Sequence, residues 1–290
     1  GRITKKDLLR YLEQQAAALS TSGQRMRETT PAPELAVPIT GVPLPAVAVP
    51  GKVGDVEVML SPMRQAVVRH MRQAKDTAAH VTTFWEADLS RVVAFRQDHL
   101  DEFASEGIRL TYTPFFVEAI VVGLKAFPML NAVLVGDKII YKRSIHVGIA
   151  VDLGEEGLIV PVVKHADEKN LRGLARAVND LAERARARRL TPDEVQGGTF
   201  SLTNHGVVGS LAGTPIIPIP QVGILGVGAI QKRLVVLQSE GGDMIAIRSM
   251  AYLSLSFDHR VVDGATADRF MARVKAYLEE YGAWKATGTG

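Results

Sequence analysis

Prolines constrain this chain more strongly than any other feature. Six of its 14 prolines fall within residues 31–50, where they are set among Ala and Val. Each proline ring fixes φ and removes a backbone donor, so regular helix or sheet is disfavoured there. The stretch therefore predicts a semi-rigid, extended linker. We expect a short amphipathic helix within residues 1–14, the linker over 15–52, a folded domain over 53–284 and a flexible tail over 285–290.

Composition narrows the class of protein. The chain has 290 residues, 47% of them apolar and 22% charged, so it can bury a sizeable core. The net charge of +3 is small and both signs are interleaved, which argues against a nucleic-acid binder. The most apolar stretch, Ala119 to Val135, is interrupted by Lys125 and Pro128, so no membrane span is expected. The absence of cysteine excludes disulfides and thiolate zinc sites and fits a reducing compartment.

The region after the linker alternates between helical and extended patterns. Helical spacing of apolar residues predicts helices over Arg64–Lys75, Leu89–Phe103, the stretch that begins at Thr113-Pro114, Asn170–Leu190 and Ala265–Glu280. Extended patterns predict a hairpin of Ala132–Val135 with Lys138–Lys142, and strands at Val81–Asp88, Ile145–Val151, Gly157–Val163, Thr199–Thr203, Ile230–Leu237, Met244–Ile247 and Met250–Phe257. Without a strict β-α-β rhythm, the pattern favours an α+β fold with a mixed sheet.

The segment Asp258–Gly264 lies where an apolar strand gives way to the last predicted helix. His259 follows directly on the strand, and a histidine in such a place can act as a general base near neutral pH. Asp263, four residues later, could orient the imidazole. It also stands where a helix N-cap is expected, and a capping Asp is common. The residues alone leave both interpretations open.

Hydroxyl side chains mark a second candidate, Gly197–Gly206. Ser201 and Thr203 stand near the end of a predicted strand, where a hydroxyl can donate a hydrogen bond to a developing oxyanion. The alternative is that both are ordinary strand residues and that Asn204 and Gly206 form a turn.

Two other patterns indicate no site. Gly223–Gly228 has its glycines in the wrong order for a dinucleotide fingerprint, so a nucleotide-binding loop is rejected. The seven histidines are scattered without ligand spacing, so no metal site is predicted.

Several of these motifs, in this order, resemble one family over about Leu60–Tyr281: the dihydrolipoamide acyltransferase cores of the 2-oxo-acid dehydrogenase complexes, closest to the succinyltransferase branch. The resemblance is carried by Leu60–Arg64, Val147–Asp152, Gly157–Val162, Gly198–Asn204, Thr214–Ile217, Ile224–Gly226 and Asp258–Gly264. It implies that residues 1–14 are the end of a peripheral-subunit-binding domain and that 53–284 form the acyltransferase catalytic domain. A lipoyl domain would precede both.

The resemblance also implies a fold and a mechanism. The fold would be that of chloramphenicol acetyltransferase, a mixed sheet with helices on one side that forms a trimeric building block. His259 would take the proton from the thiol of coenzyme A, and Thr203 from a neighbouring subunit would stabilise the oxyanion. Asp263 would hold the loop, through a pairing with Arg64. Arg64, Ser210 and Asn204 would bind coenzyme A or the acyl substrate.

Cofactors, partners and location follow from the same resemblance. Coenzyme A is expected as a substrate and no cofactor as a tightly bound group, since the lipoyl group is carried on a separate domain. The expected partners are further copies in a cubic or icosahedral shell, the 2-oxo-acid decarboxylase and dihydrolipoamide dehydrogenase components, and the lipoyl domain. Neither nucleic acid nor membrane is expected as a partner. The expected location is the cytoplasm, or the mitochondrial matrix in a eukaryote.

The acyl group is less sharply indicated. Thr203-Asn204 and Thr214–Ile217 resemble the succinyl-transferring branch, yet that branch often has a histidine at the position of Gly228 and a hydroxyl at that of Gly213. Acetyl- and branched-chain-acyl-transferring members are therefore alternatives. Other acyltransferases of the fold usually have two adjacent histidines, whereas Asp258 precedes His259 here. A non-catalytic core homologue would lack His259.

Overall fold

The computed structural model describes residues 54–154, 157–239 and 242–282. The helix expected within residues 1–14, the linker over 15–52 and the tail over 285–290 lie outside the described residues. Contacts divide the chain between Glu57 and Val58, and the architecture below is that of the unit beginning at Val58.

The described part of this unit contains six α-helices and eleven strands. The helices are α1 Pro62–Thr77, α2 Ser90–Asp98, α3 Leu100–Ser105, α4 Thr113–Ala126, α5 Leu171–Arg186 and α6 Gly264–Glu279. The strands are β1 His80–Asp88, β2 Ala132–Val135, β3 Lys138–Tyr141, β4 Val147–Ile149, β5 Val151–Asp152, β6 Leu158–Ile159, β7 Val162–Val163, β8 Phe200–Asn204, β9 Gly223–Val227, β10 Gln231–Ser239 and β11 Gly242–Asp258.

Local sequence signals start the longer helices. The side chain of Ser61 accepts a hydrogen bond from the backbone N–H of Arg64 at the start of α1. Asn170 caps α5 in the same way, through the N–H of Gly173. Such caps satisfy backbone donors that have no partner within the helix. The predicted helices α1, α4, α5 and α6 are all present.

A seven-stranded mixed sheet forms the centre of the unit. Its order is β1-β11-β9-β8-β4-β7, and β10 also pairs with β11. β11 runs antiparallel to β1, β9 and β10, whereas β8 runs parallel to β9 and β4. The predicted α+β class with a mixed sheet is confirmed.

The second half of β11 has two chemically different faces, and both are buried. Leu253, Leu255 and Phe257 belong to the main apolar core together with residues of α4, α5 and α6. Because successive side chains alternate across a strand, Ser254 and Ser256 point to the opposite face, yet both are at most 1% exposed. Helices α4, α5 and α6 therefore lie on one side of the sheet, and the other side is covered by different residues.

The segment between β8 and β9 covers the polar face. The backbone N–H of Ile217 donates to Nε2 of His80 at the start of β1. The Ser201 hydroxyl on β8 donates to the side-chain oxygen of Gln221. The segment is therefore fixed to the face that also carries Thr203.

Some predicted elements are wrong in their extent. The helix over Leu89–Phe103 breaks at His99, whose φ of −112° and ψ of 6° are not helical, to give α2 and α3. The predicted strands Ile145–Val151 and Gly157–Val163 each split in two. One half of each joins the sheet as β4 or β7, and the other halves pair with each other as β5 and β6. By contrast, Met244–Ile247 and Met250–Phe257 belong to one continuous strand, β11.

Sequence reasoning missed β9, whose five residues are all buried between β8 and β11. Its glycines are explained by close neighbours. A Cβ on Gly223 would lie 2.7 Å from the ring of Phe200, and one on Gly226 would lie 2.4 Å from Oγ of Ser254. These glycines allow close packing of neighbouring side chains, which agrees with the rejection of a nucleotide-binding loop.

β10 and the first half of β11 form a two-stranded ribbon with one exposed aliphatic face. Leu234 lies opposite Ile247, and Val236 lies opposite Ile245. All four side chains are between 63% and 77% exposed.

In the part of the chain that the structure describes, none of the helices could span a lipid bilayer.

Gly123 marks the contact between α4 and α6. A Cβ at this position would lie 2.5 Å from the fully buried ring of Phe270. We expect Gly123→Ala to destabilise the protein by about 1–3 kcal/mol, because the ring has no room to move. Urea unfolding followed by circular dichroism measures the change.

Gly173 provides the matched control, since a Cβ there would make ordinary contacts at 3.4 Å or more within α5. Gly173→Ala should be neutral or stabilising by up to about 1 kcal/mol, because alanine favours helix. Equal effects of the two substitutions would contradict the packing at Gly123.

Candidate active site

The turn that follows β11 is held by a buried carboxylate. Asp258 is only 2% exposed and accepts hydrogen bonds from the backbone N–H groups of Ala79 and Arg260, at 3.2 and 3.1 Å. The guanidinium of Arg260 also donates to both of its carboxylate oxygens, with a shortest distance of 2.7 Å. The turn is therefore fixed on both sides of His259.

The surroundings of Asp258 keep it ionised. Burial alone would raise the pKa of this carboxyl, but hydrogen bonds from Arg260 and from the N–H of Ala79 outweigh burial and lower it. A buried charge of this kind is stable because its lone pairs are satisfied. No role was predicted for Asp258 from sequence, although a carboxylate two residues before an arginine at a strand end was an available signal.

His259 presents its imidazole to solvent from this rigid turn. Its backbone N–H donates to the carbonyl of Ala79 at 2.9 Å, and its ring lies 5.8 Å from that of Phe257. The side chain is exposed in the single chain. The backbone is fixed while the ring remains accessible, which is the arrangement that a general base requires.

Asp263 acts as the N-cap of α6. Its Oδ1 accepts a hydrogen bond from the backbone N–H of Thr266 at 2.6 Å. The contacts with Thr266 lower the pKa of Asp263, and the nearby charges of Arg269 and His259 lower it further. Asp263 therefore caps α6, as one interpretation of the sequence predicted. It also lies within electrostatic range of His259, as the other interpretation requires.

Thr203 lies at the opposite end of the sheet from His259. Thr203 pairs with Gly226 on β9, and Gly226 pairs with Ser254 on β11. His259 is five residues further along the chain than Ser254, which corresponds to roughly 17 Å of extended strand. One chain therefore does not bring the predicted base and the predicted oxyanion donor together.

The other predicted site residues lie on the Thr203 side or further away. Asn204 uses its side-chain oxygen to accept from the backbone N–H of Gly206 at 3.0 Å, so it forms the turn considered as its alternative role. The Ser210 hydroxyl donates to the carbonyl of Ala212, in the segment that covers the polar face.

The expected pairing of Arg64 with Asp263 is wrong within this chain, where the two residues form no ion pair. Helix α1 explains the separation, because it spans 16 residues, about 24 Å. Arg64 lies near its beginning, whereas Ala79, which binds the backbone of His259, follows its end. The guanidinium of Arg64 lies beside Gly157 instead, 3.1 Å from the position that a Cβ there would take.

A histidine next to the Thr203 motif was also missed. Nε2 of His205 is buried and has no hydrogen-bond partner among the described residues. Burial lowers the pKa of this imidazole. Its position two residues after Thr203 was visible in the sequence, but nothing there indicated that Nε2 is buried. The described residues contain no cluster of three or more His, Cys, Asp or Glu side chains that could hold a metal ion.

Comparison with family models gives a match over most of the chain. The model for the 2-oxoacid dehydrogenases acyltransferase (catalytic domain) matches residues 53–285.

Curated relatives carry three different acyl names. A lipoamide acyltransferase component of a branched-chain alpha-keto acid dehydrogenase complex from Bacillus subtilis is 41% identical over 96% of this chain. A dihydrolipoyllysine-residue succinyltransferase from Bartonella vinsonii is 43% identical over 77% of it, and an acetyltransferase from Mycobacterium bovis 44% over 78%. The chain spans 65%, 53% and 41% of the lengths of these three relatives.

Solved structures agree with the family match. The chain is similar to the dihydrolipoamide acetyltransferase of Azotobacter vinelandii, studied for the role of a serine, a histidine and an asparagine in its catalytic mechanism. The TM-score is 0.75 at 33% identity, over 89% of this chain and 99% of that one. The cubic core of a pyruvate dehydrogenase multienzyme complex matches with the same values.

The hydrogen bonds of Asp258 generate a prediction for stability. We expect Asp258→Asn to destabilise the protein by about 1.5–3 kcal/mol at pH 7, because charge-assisted hydrogen bonds to Arg260 are lost. A carboxyl whose pKa is lowered on folding contributes stability above its unfolded pKa, about 3.9, and loses it as pH falls through the folded value. The difference between wild type and variant should therefore shrink as the pH is lowered to about 3.

Urea unfolding at pH 7 and at pH 3–4 measures this difference, with Asp98→Asn, which removes an exposed carboxylate, as the control. A difference that is the same at both pH values would contradict the role of the Asp258 charge.

Proposed function

The chain belongs to the 2-oxoacid dehydrogenase acyltransferase family, and we propose that it transfers an acyl group between dihydrolipoamide and coenzyme A. The observation that carries this proposal is the His259 turn: an exposed imidazole on a backbone fixed by Asp258, with Asp263 four residues later. In the Azotobacter enzyme, the histidine and asparagine named for the mechanism are also four positions apart. We assign His259 and Asp263 to those places, and Thr203 to that of the serine.

His259 acts as the base. A thiol has a pKa of about 8.5, so at neutral pH most coenzyme A carries an S–H that must lose its proton before attack. His259 takes that proton, and the thiolate sulfur attacks the carbonyl carbon of the acyl thioester on dihydrolipoamide. When the tetrahedral intermediate breaks down, the C–S bond to the lipoyl group is cleaved and His259 returns the proton to the departing sulfur. The acyl group passes directly between the two sulfurs.

Thr203 stabilises the intermediate. As the new C–S bond forms, the carbonyl electron pair moves to oxygen, and a hydroxyl aimed at that oxygen donates a hydrogen bond that strengthens as charge develops. Since about 17 Å of strand separates Thr203 from His259 along one chain, the two act together only across a subunit boundary. We therefore propose that His259 of one subunit and Thr203 of its neighbour complete each site.

This requirement supports a symmetric assembly. A head-to-tail contact that places one subunit's histidine against the next subunit's threonine forms a ring when its rotation closes, and we propose a ring of three subunits, a trimer. The similarity to a cubic multienzyme core suggests that trimers assemble further into a shell. The dehydrogenase components and a lipoyl domain would be its functional partners.

For substrate binding we propose Arg64, Ser210 and Asn204. Arg64 is exposed near the start of α1, where its guanidinium can bind a phosphate of coenzyme A. Ser210 and Asn204 border the Thr203 side, where the acyl thioester would enter.

Among acyl groups we propose that the chain transfers succinyl. Acetyl and branched-chain acyl groups are the alternatives, because relatives named for their transfer are similarly close in sequence.

The mechanism predicts unequal losses from two substitutions. Thr203→Ala should lower kcat about 10²–10³-fold, because one oxyanion donor is removed. His259→Ala should lower it further, since no group then accepts the thiol proton. Thr203→Ser keeps the hydroxyl and is the matched control. Thiol release is measured with acetyl-, succinyl- and isobutyryl-CoA and dihydrolipoamide, and near-normal activity of His259→Ala would refute the assignment.

Mixing the two inactive variants tests the shared site. In a 1:1 co-expressed mixture of His259→Ala and Thr203→Ala chains, about a quarter of the subunit boundaries would combine an intact histidine with an intact threonine. We expect about that fraction of wild-type activity. If the mixture is no more active than the separate variants, each site is confined to one chain.

A further inference from the structure

The imidazole of His80 bridges two parts of the chain that are far apart in sequence. Its Nε2 accepts a hydrogen bond from the backbone N–H of Ile217 at 3.1 Å, and its Nδ1 lies 3.0 Å from the carbonyl oxygen of Ala78. A backbone N–H can only donate and a carbonyl can only accept, so both contacts require the same tautomer, with the proton on Nδ1. Both ring nitrogens are therefore hydrogen-bonded, and the ring is held in one orientation.

The segment that contains Ile217 has few other ways to be fixed. Three of the seven residues 214–220 are prolines, which have no backbone N–H, and none of the seven lies in a helix or strand. Ile217 is fully buried, so its N–H needs a partner inside the protein, and His80 provides it. The part of the segment near Thr203 is held separately, since the carbonyl of Ser210 accepts from the backbone N–H of Ala229.

The residues next to His80 form the corner that supports the proposed base. Ala78 is the C-cap of α1, and Ala79 follows it. Ala79 uses both of its backbone groups on the turn after β11. Its N–H donates to Oδ1 of Asp258 at 3.2 Å, and its carbonyl accepts from the N–H of His259 at 2.9 Å. The ring of His80 therefore fixes a three-residue corner whose middle residue holds the turn that carries His259.

We propose that His80 is a positioning residue for acyl transfer. By joining the Ala78–His80 corner to the buried Ile217, it keeps the imidazole of His259 aligned with the thiol of coenzyme A. The inference rests on the role of His259 in the proposed function. A misplacement of about 1 Å can lower a rate on the order of 10²-fold, so a hydrogen bond that fixes the support of the base affects turnover more than substrate binding.

Two amide substitutions separate the two hydrogen bonds of the ring. In His80→Gln, the side-chain oxygen stands the same number of bonds from the backbone as Nε2 and can accept from Ile217. In His80→Asn, the amide nitrogen takes the place of Nδ1, so the bond to Ala78 is kept and Ile217 loses its partner.

The two variants should differ in turnover, measured by thiol release with acyl-CoA and dihydrolipoamide. We expect His80→Asn to lower kcat about 10- to 100-fold with little change in KM for acyl-CoA, because the base is displaced and binding is not. His80→Gln should retain most of the wild-type kcat. His70→Asn, at an exposed histidine of α1, is the control and should leave kcat unchanged.

Mixtures of chains show which half of the site His80 supports. In the co-expressed mixture of His259→Ala and Thr203→Ala chains, every working site takes its histidine from the Thr203→Ala chain. His80→Asn on that chain should lower the recovered activity about 10- to 100-fold, whereas on the His259→Ala chain it should leave the recovered activity nearly unchanged. General destabilisation would lower both mixtures equally, because each contains the same substitution in the same number of chains. His80→Leu fills the space of the ring without either hydrogen bond and replaces His80→Asn if that chain does not fold.

Equal losses in both mixtures, no loss in either, or a His80→Gln chain as impaired as His80→Asn would overturn this inference. A larger loss on the His259→Ala chain would also overturn it, since His80 would then support the Thr203 half of the site. If the mixture without a His80 substitution is inactive, the shared site of the proposed function fails instead, and the kcat values of His80→Gln and His80→Asn then decide the role of His80.

Discussion

The register of β8, β9 and β11 is the constraint on which the rest of this structure depends. Because β9 is parallel to β8 and antiparallel to β11, the end of β8 lies level with Ser254, in the interior of β11. His259, which follows β11, must then lie at the opposite end of these strands. A slip of one residue would move Leu253, Leu255 and Phe257 out of the core, so the apolar face keeps this register fixed. The same packing that stabilises the fold separates His259 from Thr203 within one chain, which is why the site proposed above needs a second chain.

The turn at the end of β11 adds precision to this arrangement. Burial of Asp258 opposes its ionisation, and the hydrogen bonds from Arg260 and Ala79 outweigh that effect. The carboxylate thereby ties β11 to the residue that follows α1. An imidazole carried by such a turn needs little reorganisation before it accepts a proton, which is how preorganised sites lower activation barriers.

Much of the fold could be predicted from sequence because its signals are local. The cap at Asp263, the helix start at Thr113-Pro114 and the hairpin of Ala132–Val135 with Lys138–Lys142 depend on residues within a few positions, and the structure contains each helix or hairpin that they indicated. The strand β9 was missed because its glycines are required by Phe200 and Ser254, which are distant in sequence. The same limit applies to the site. The position of His259 at the end of a strand could be predicted from neighbouring residues in the sequence. The separation of Arg64 from Asp263, however, depends on the length and direction of α1. The burial of Nε2 of His205 depends on the segment that covers the polar face.

The aliphatic ribbon of β10 and β11 has a consequence for how the protein is produced. A freshly folded chain presents Leu234, Val236, Ile245 and Ile247 to water on two paired strands, a surface through which proteins associate without specificity. Unspecific association through this surface would compete with the assembly proposed above. The yield of functional protein would therefore depend on the rate of synthesis and on the local chain concentration, as well as on the stability of one folded subunit.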